Sequence, residues 1–87
     1  MAEPLEWTHF VRSVSDFLGV GAAEIRRETH FYDDLGIDSL GLFSLGINLI
    51  RVYGIRLPLA VVPTIKTVGE AFDAMEAHAG TTTDEPG

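Results

Sequence analysis

The sequence predicts an all-helical domain, because apolar residues recur at helical spacing and no segment alternates apolar and polar residues convincingly. Of the 87 residues, 46% are hydrophobic, which is enough for the small core of one domain. We expect a four-helix bundle with a short third helix and a long first loop. The domain is assigned to residues 1–79, and the polar residues 80–87 to a disordered C-terminal tail.

The first predicted helix has an apolar stripe on one face. Pro4 suits its first turn and Gly19 ends it. The stripe consists of Leu5, Trp7, Phe10, Val11, Val14, Phe17 and Leu18. Residues 19–37 then form a long connection with a helical turn near residues 22–26. Four apolar residues are expected to tether this connection to the core, namely Ile25, Phe31, Tyr32 and Leu35.

The second predicted helix runs from Ser39 to Tyr53 and is closed by Gly54. Its core face is assigned to Leu42, Phe43, Gly46, Leu49, Ile50 and Tyr53. Its polar stripe is assigned to Gly41, Ser44, Asn48 and Arg51. The borders are Leu40 and Ile47 on one side and Leu45 and Val52 on the other. These border residues are either the edge of the core or, for Leu40 and Ile47, an exposed docking strip beside Ser39. Gly46 either allows close packing or leaves room for a sheltered acyl chain.

Proline and capping signals define the C-terminal third. Pro58 blocks any continuation of the second helix, and residues 59–62 form one short helical turn that is cut by Pro63. Thr67 has the pattern of an N-cap, with Glu70 completing a capping box. The last helix has an apolar stripe of Val68, Ala71, Phe72, Met75 and Ala79.

Composition excludes several classes of function. The net charge is −7, with 13 acidic and 6 basic residues, which argues against a nucleic-acid partner. There is no cysteine for a disulfide or a thiolate metal site, and the histidines lack the spacing of metal ligands. We find no secretion signal and no apolar run near the roughly 20 residues of a membrane span. We therefore expect a cytoplasmic monomer.

Ser39 is the candidate functional residue, because it begins a helix directly after an acidic cluster of Asp33, Asp34 and Asp38. A serine in that position is either an N-cap or an attachment point for a negatively charged group, since helix N-termini favour anions. A catalytic nucleophile is disfavoured, because Ile37 occupies one of the two glycine positions of a nucleophile elbow and nothing places a base beside the serine.

The residues around Ser39 resemble the carrier-protein family, the acyl and peptidyl carriers of fatty-acid, polyketide and nonribosomal-peptide assembly. The matching motif is Asp34-Leu35-Gly36-x-Asp38-Ser39-Leu40, with Phe31 upstream and Gly54-Ile55-x-Leu57-Pro58 downstream. The resemblance covers roughly residues 5–78. In that family the serine carries a 4′-phosphopantetheine arm, esterified through its phosphate. The resemblance implies the same for Ser39, with Asp38 and Leu40 beside the cofactor.

The resemblance also implies a bundle of the acyl-carrier type and a role without catalysis. The protein would be a freestanding carrier that holds an acyl group as a thioester. Its partners would be a phosphopantetheinyl transferase, an acyl- or aminoacyl-loading enzyme and a downstream synthase or transferase. The acidic cluster would attract basic side chains of the transferase. The residues assigned to partner binding are Asp34, Leu40, Ile47 and Arg51.

Two alternatives remain open at this point. The motif around Ser39 is similar to acyl carriers, whereas Leu57-Pro58-Leu59 followed by Pro63-Thr64-Ile65 is more similar to peptidyl carriers of nonribosomal pathways. An unmodified helical adaptor that binds a partner through its second helix belongs to a different class. Modification of Ser39 discriminates the carrier from the adaptor.

Overall fold

The computed structural model describes residues 4–79, and every regular element in that range is helical. The α-helices are α1 (Trp7–Leu18), α2 (Ser39–Tyr53) and α3 (Val68–Ala77). A first 3₁₀ helix spans Ala22–Glu24, and a second spans Leu59–Thr64. The prediction of an all-α bundle is confirmed. The short third helix of that prediction is the second 3₁₀ helix, and α3 is the predicted last helix. The predicted tail, residues 80–87, lies outside the described residues.

Helix α1 begins later than predicted. Glu6 is its N-cap, in extended conformation, so Pro4 and Leu5 precede the helix. Leu5 nevertheless packs against the core, which explains its place in the apolar pattern. Phe17 is 42% exposed, so its assignment to the buried stripe is wrong. It lines a shallow hollow between α1 and α2, beside Val52.

Aromatic packing joins the three α-helices. The Phe10 ring is fully buried and lies 5.3 Å from the Phe72 ring and 6.2 Å from the Tyr53 ring. The Tyr53 hydroxyl is 2.8 Å from His9 Nδ1 and 3.1 Å from Ser13 Oγ. These hydrogen bonds give the half-buried polar groups of α1 a partner on α2, and so fix the two helices against each other.

The long connection is anchored as predicted. Ile25 and Phe31 are buried, and Tyr32 and Leu35 are half-buried against the core. Backbone hydrogen bonds also join the connection to the start of α3. Phe31 N donates to Lys66 O, Val68 N to Thr29 O and Gly69 N to Arg27 O, each at 2.9 Å. The loop that precedes α2 is therefore held by α3.

Arg27 adds a side-chain link between the loop and the helices. Its Nη2 lies 2.7 Å from Asp73 Oδ2, and its guanidinium lies 5.6 Å from the centre of the Trp7 ring. The hydrogen bond and the charge of Asp73 raise the pKa of Arg27 further above its ordinary value. Because both side chains are more than half exposed, this pair orients the loop more than it stabilises the fold.

Gly69 packs tightly against the backbone of Arg27, where the first connection meets α3. Gly69→Ala should therefore destabilise the domain. A Cβ atom at position 69 would lie 2.8 Å from the Arg27 carbonyl oxygen, which is backbone and cannot rotate away. We expect a loss of about 1–3 kcal/mol in the free energy of unfolding, measured by urea denaturation. Gly21→Ala is the control, because its nearest neighbour is the flexible Glu24 side chain at 3.5 Å. Equal stability of the two variants would contradict this packing.

The buried and exposed faces of α2 differ in part from the prediction. Leu42, Gly46, Leu49 and Tyr53 are buried as expected, and Leu45, predicted at a border, is also core at 1% exposure. Phe43 and Ile50 are only half-buried. Gly41 and Asn48, assigned to the polar stripe, are half-buried as well. Gly41 lies against Ile37 and the Asp38 side chain, and Asn48 lines the hollow between α1 and α2.

The second 3₁₀ helix runs through Pro63, so the prediction that Pro63 cuts it is wrong. The proline ring fixes φ near −65°, which suits a 3₁₀ turn. This helix packs closely on α2 at Gly46, where a Cβ would lie 3.2 Å from Val62 Cγ2. Of the two interpretations of Gly46, the structure supports close packing.

Helix α3 begins with the predicted capping box. Thr67 Oγ1 accepts from Glu70 N at 3.1 Å, and Glu70 Oε1 accepts from Thr67 N at 3.4 Å. The helix ends at Ala77 with His78 as its C-cap. Ala79 lies beyond the helix and is exposed, so it does not belong to the apolar stripe.

Candidate functional site at the start of helix α2

Asp38, and not Ser39, is the N-cap of α2. The Asp38 carboxylate accepts from Gly41 N at 2.8 Å, and its carbonyl oxygen accepts from Leu42 N at 2.9 Å. Ser39 is therefore the first residue of the helix, and the interpretation of Ser39 as a cap is wrong. The Ser39 side chain is exposed and forms no hydrogen bond with any other residue in the range 4–79. Its hydroxyl is open to solvent and to reagents.

The loop that leads into Ser39 is closed by its own backbone. Asp34 N and Leu35 N both donate to the carbonyl oxygen of His30, at 2.9 and 3.0 Å. Ile37 N donates to Phe31 O at 3.1 Å, so the last residue before the cap is tied to the buried anchor of the loop. Gly36 has φ 68°, a left-handed conformation that other residues adopt only with strain. The loop thus places the start of α2 at a fixed point on the bundle.

Two carboxylates of the acidic cluster also have structural partners. Asp34 Oδ2 accepts from His30 N at 2.7 Å. Asp33 Oδ2 lies 3.8 Å from His30 Nδ1, which is too far for a hydrogen bond. Asp38 caps α2. All three residues are exposed, so the cluster keeps a negative surface beside Ser39 while it stabilises the loop. The structural and the functional interpretation of these residues are compatible.

An exposed strip runs along α2 from Ser39. It consists of Leu40, Ser44, Ile47 and Arg51, which are four exposed residues at helical spacing, and we call it the α2 strip. Leu40 is 76% exposed and Ile47 is 47% exposed. The interpretation of these two residues as the edge of the core is therefore wrong. Both are apolar groups in contact with water at the surface that adjoins Ser39.

The structure adds two surface residues that the sequence analysis did not single out. Leu59, in the second 3₁₀ helix, is 47% exposed. Arg56 is exposed between the buried residues Ile55 and Leu57. The alternation of apolar, charged and apolar residues at 55–57 is the signal that would have placed Arg56 at the surface.

The histidines are engaged away from Ser39. His9 bonds to Tyr53, His78 Nδ1 lies 2.9 Å from the carbonyl oxygen of Ala74, and His30 Nδ1 accepts from Tyr32 N and Asp33 N at 3.3 and 3.2 Å. Across the part of the chain that the structure describes, no group of three or more His, Asp or Glu residues could hold a metal ion. No helix there is long and apolar enough to cross a bilayer.

A small cavity lies inside the bundle between α2, the second 3₁₀ helix and α3. Its volume is about 10 Å³, about the space of one water molecule. Only apolar residues line it, among them Phe31, Leu45, Val62 and Met75. An acyl chain does not fit in a cavity of this volume.

Most of the chain is similar to known proteins. Residues 9–74 match the family model described as a phosphopantetheine attachment site. An acyl carrier protein of Clostridium acetobutylicum is 35% identical over 65 residues, which cover 75% of this chain and 84% of that protein. An acyl carrier protein of Porphyromonas gingivalis is 41% identical over 65 residues, which cover 75% of this chain and 83% of that protein.

The chain therefore belongs to the acyl carrier protein family. Membership indicates a covalently attached 4′-phosphopantetheine. The start of α2 fits such a group, because it offers an exposed hydroxyl at a helix N-terminus that favours a phosphate. Acyl carrier proteins are carriers rather than catalysts.

Proposed function

We propose that Ser39 is the attachment residue and that the protein carries an acyl group as a thioester on the arm. The observation that supports this most strongly is the position of Ser39 as an exposed first residue of α2 without a hydrogen-bonding partner in residues 4–79. The cap role is taken by Asp38, so modification of the serine leaves the helix start intact. When bound, the arm supplies the thiol that holds the cargo.

The residues beside Ser39 have separate roles in this proposal. Asp38 fixes the start of α2 through its bond to Gly41 N, and so presents the serine hydroxyl. The amides at the helix N-terminus and the macrodipole favour the phosphate of the arm. Leu40 flanks the attachment point with an apolar side chain that an enzyme can cover as it approaches the arm.

The proposed partners would bind the surface around Ser39. A phosphopantetheinyl transferase would meet the exposed carboxylates, including Asp34, with basic side chains. Loading enzymes and downstream synthases or transferases would dock on the α2 strip through Leu40, Ile47 and Arg51. The protein itself would catalyse none of these steps. A polyketide, fatty-acid or related pathway, a cytoplasmic location and a monomeric state remain predictions.

Incubation with coenzyme A and a broad-specificity phosphopantetheinyl transferase tests the carrier role. We expect every chain to gain the mass of one arm, because the family carries a phosphopantetheine arm and Ser39 is the one attachment residue that we propose. Intact-mass spectrometry gives the number of arms per chain. A wild-type protein that no competent transferase modifies would contradict the proposal.

An aminoacyl cargo is the second candidate. The observation that favours it is the apolar second 3₁₀ helix, entered through Leu57-Pro58-Leu59 and continued by Pro63-Thr64-Ile65. The curated relatives bear the name acyl carrier protein, so we favour an acyl cargo. Extracts of the source organism, supplied with acyl-coenzyme A or with amino acids and ATP, would show which thioester forms on the arm.

Leu40→Glu should impair loading while it leaves folding almost unchanged. Leu40 is 76% exposed, so the new charge stays in water and the free energy of unfolding should change by about 0.5 kcal/mol or less. The charge would lie where a partner buries apolar surface, and we expect kcat/KM of the loading enzyme to fall about tenfold or more.

Ala23→Glu is the control for this prediction. It adds the same charge at an exposed position in the first 3₁₀ helix, away from α2. Thermal unfolding and loading kinetics are measured for both variants. A Leu40→Glu protein that loses stability severely but loads at the normal rate would assign Leu40 to packing and remove it from the docking surface.

A further inference from the structure

The segment that contains the α2 strip has no acidic residue. Between Ser39 and Lys66 there is no aspartate or glutamate, although the whole chain has 13. The same segment contains three of the six basic residues, Arg51, Arg56 and Lys66. A chain with a net charge of −7 therefore has one continuous segment with a net charge of +3.

The arginines of this segment are available to a partner. Arg51 and Arg56 are exposed, and neither forms a side-chain hydrogen bond or an ion pair with another residue in the described range, 4–79. Arg27 behaves differently, since its guanidinium is bound to Asp73. A charge that no carboxylate of residues 4–79 neutralises can form a pair across an interface.

The charge of the surface changes from negative to positive between the start and the end of α2. Arg51 is twelve residues beyond Ser39, so the two lie about 18 Å apart along the helix axis at 1.5 Å per residue. Asp33, Asp34 and Asp38 lie at the end near Ser39. Leu40 and Ile47 lie between them on the same face. The surface is therefore acidic just before Ser39, apolar in the middle of the α2 strip and basic at the far end of the strip, at Arg51.

We propose that the enzyme that loads this carrier presents an apolar patch to Leu40 and Ile47 and a carboxylate to Arg51. This inference rests on the proposed docking role of the α2 strip. Opposite charges across an interface favour one orientation, and like charges in contact are costly. A partner surface that is basic along its whole length would bring like charge against Arg51. The carrier therefore favours an enzyme that has a carboxylate opposite Arg51. In that orientation Ser39 and its arm lie at the other end of the interface.

Charge reversal at Arg51 tests the proposal. All variants are first converted to the phosphopantetheinylated form, and are then acylated by the loading enzyme purified from the source organism through its activity on the wild-type carrier. We expect Arg51→Glu to lower kcat/KM about tenfold. Arg51→Gln, which places no anion near the helix C-terminus, should lower it about threefold, and Arg51→Lys should retain most of the activity. Raising the salt to about 0.5 M should narrow the difference between Arg51→Glu and wild type.

Arg26→Glu is the matched control, because Arg26 is exposed in the first connection and the substitution changes the net charge equally. Its kcat/KM should stay within about twofold of wild type. Loading that is equal or faster with Arg51→Glu and Arg51→Gln would overturn the proposed carboxylate partner. If the wild-type chain does not accept the arm, the carrier function itself fails. That step is measured separately before loading, so the two failures are distinguishable.

Discussion

Replacement of Ser39 by alanine is expected to abolish attachment of the phosphopantetheine arm completely. Alanine has no hydroxyl to esterify, and no other residue shares the position of Ser39 directly after the Asp38 cap. The fold should persist, because the Ser39 side chain is exposed and the capping bond from Gly41 N to Asp38 does not involve it. We expect the free energy of unfolding to change by about 0.5 kcal/mol or less.

Ser44→Ala is the control for this substitution. Ser44 is an exposed serine on the same helix, five residues further along, and it belongs to the α2 strip. The Ser44→Ala protein should accept one arm per chain, as we expect for wild type. Intact-mass spectra after incubation with coenzyme A and the transferase separate the variants. Uptake of an arm by the Ser39→Ala protein would contradict the assignment.

The second large effect is expected at Phe31, the buried anchor of the loop before α2. Its side chain is fully buried and lines the small apolar cavity. Its backbone donates to Lys66 and accepts from Ile37. Removal of a buried phenylalanine ring typically costs about 3–5 kcal/mol. Because small domains have only about 5–15 kcal/mol of stability, Phe31→Ala should leave the domain close to unfolding.

Urea denaturation of Phe31→Ala and Tyr32→Ala compares a buried with a half-buried neighbour in the same loop. We expect the loss at Phe31 to be at least twice the loss at Tyr32. Phe31→Leu, which keeps most of the apolar volume, should cost less than the alanine substitution and remain measurable if the alanine protein does not fold. A larger loss at Tyr32 than at Phe31 would contradict the assigned anchor.

Local signals were sufficient for much of the fold. Helix α2 has the predicted ends, because its start follows an acidic cap and Gly54 closes it in the left-handed conformation. The capping box at Thr67 and Glu70 is confirmed for the same reason, since its hydrogen bonds join residues three apart. The start of α1 was predicted too early. Pro4 is compatible with a first turn, but Leu5 reaches the core from an extended segment, which depends on packing.

The candidate site was predicted in part. The cluster around Ser39 and its place at the start of α2 are local features of the motif. Local sequence does not determine which face of α2 is exposed to solvent. That face depends on how α1, the loop and the second 3₁₀ helix pack against α2. Gly41 and Asn48 are half-buried, and the exposed residues of the helix surface are Leu40, Ser44, Ile47 and Arg51. Periodicity alone had assigned Leu40 and Ile47 to a border.

The most direct test of Ser39 as the attachment residue is to locate the arm on the protein. Chains isolated from the source organism, or modified with coenzyme A and a transferase, are fragmented in a mass spectrometer and the added mass is assigned to a residue. We expect one arm, on Ser39, in every modified chain, and this result would support the carrier function. An arm on Ser44 or on any other residue, or chains from the source organism that never contain one, would contradict it.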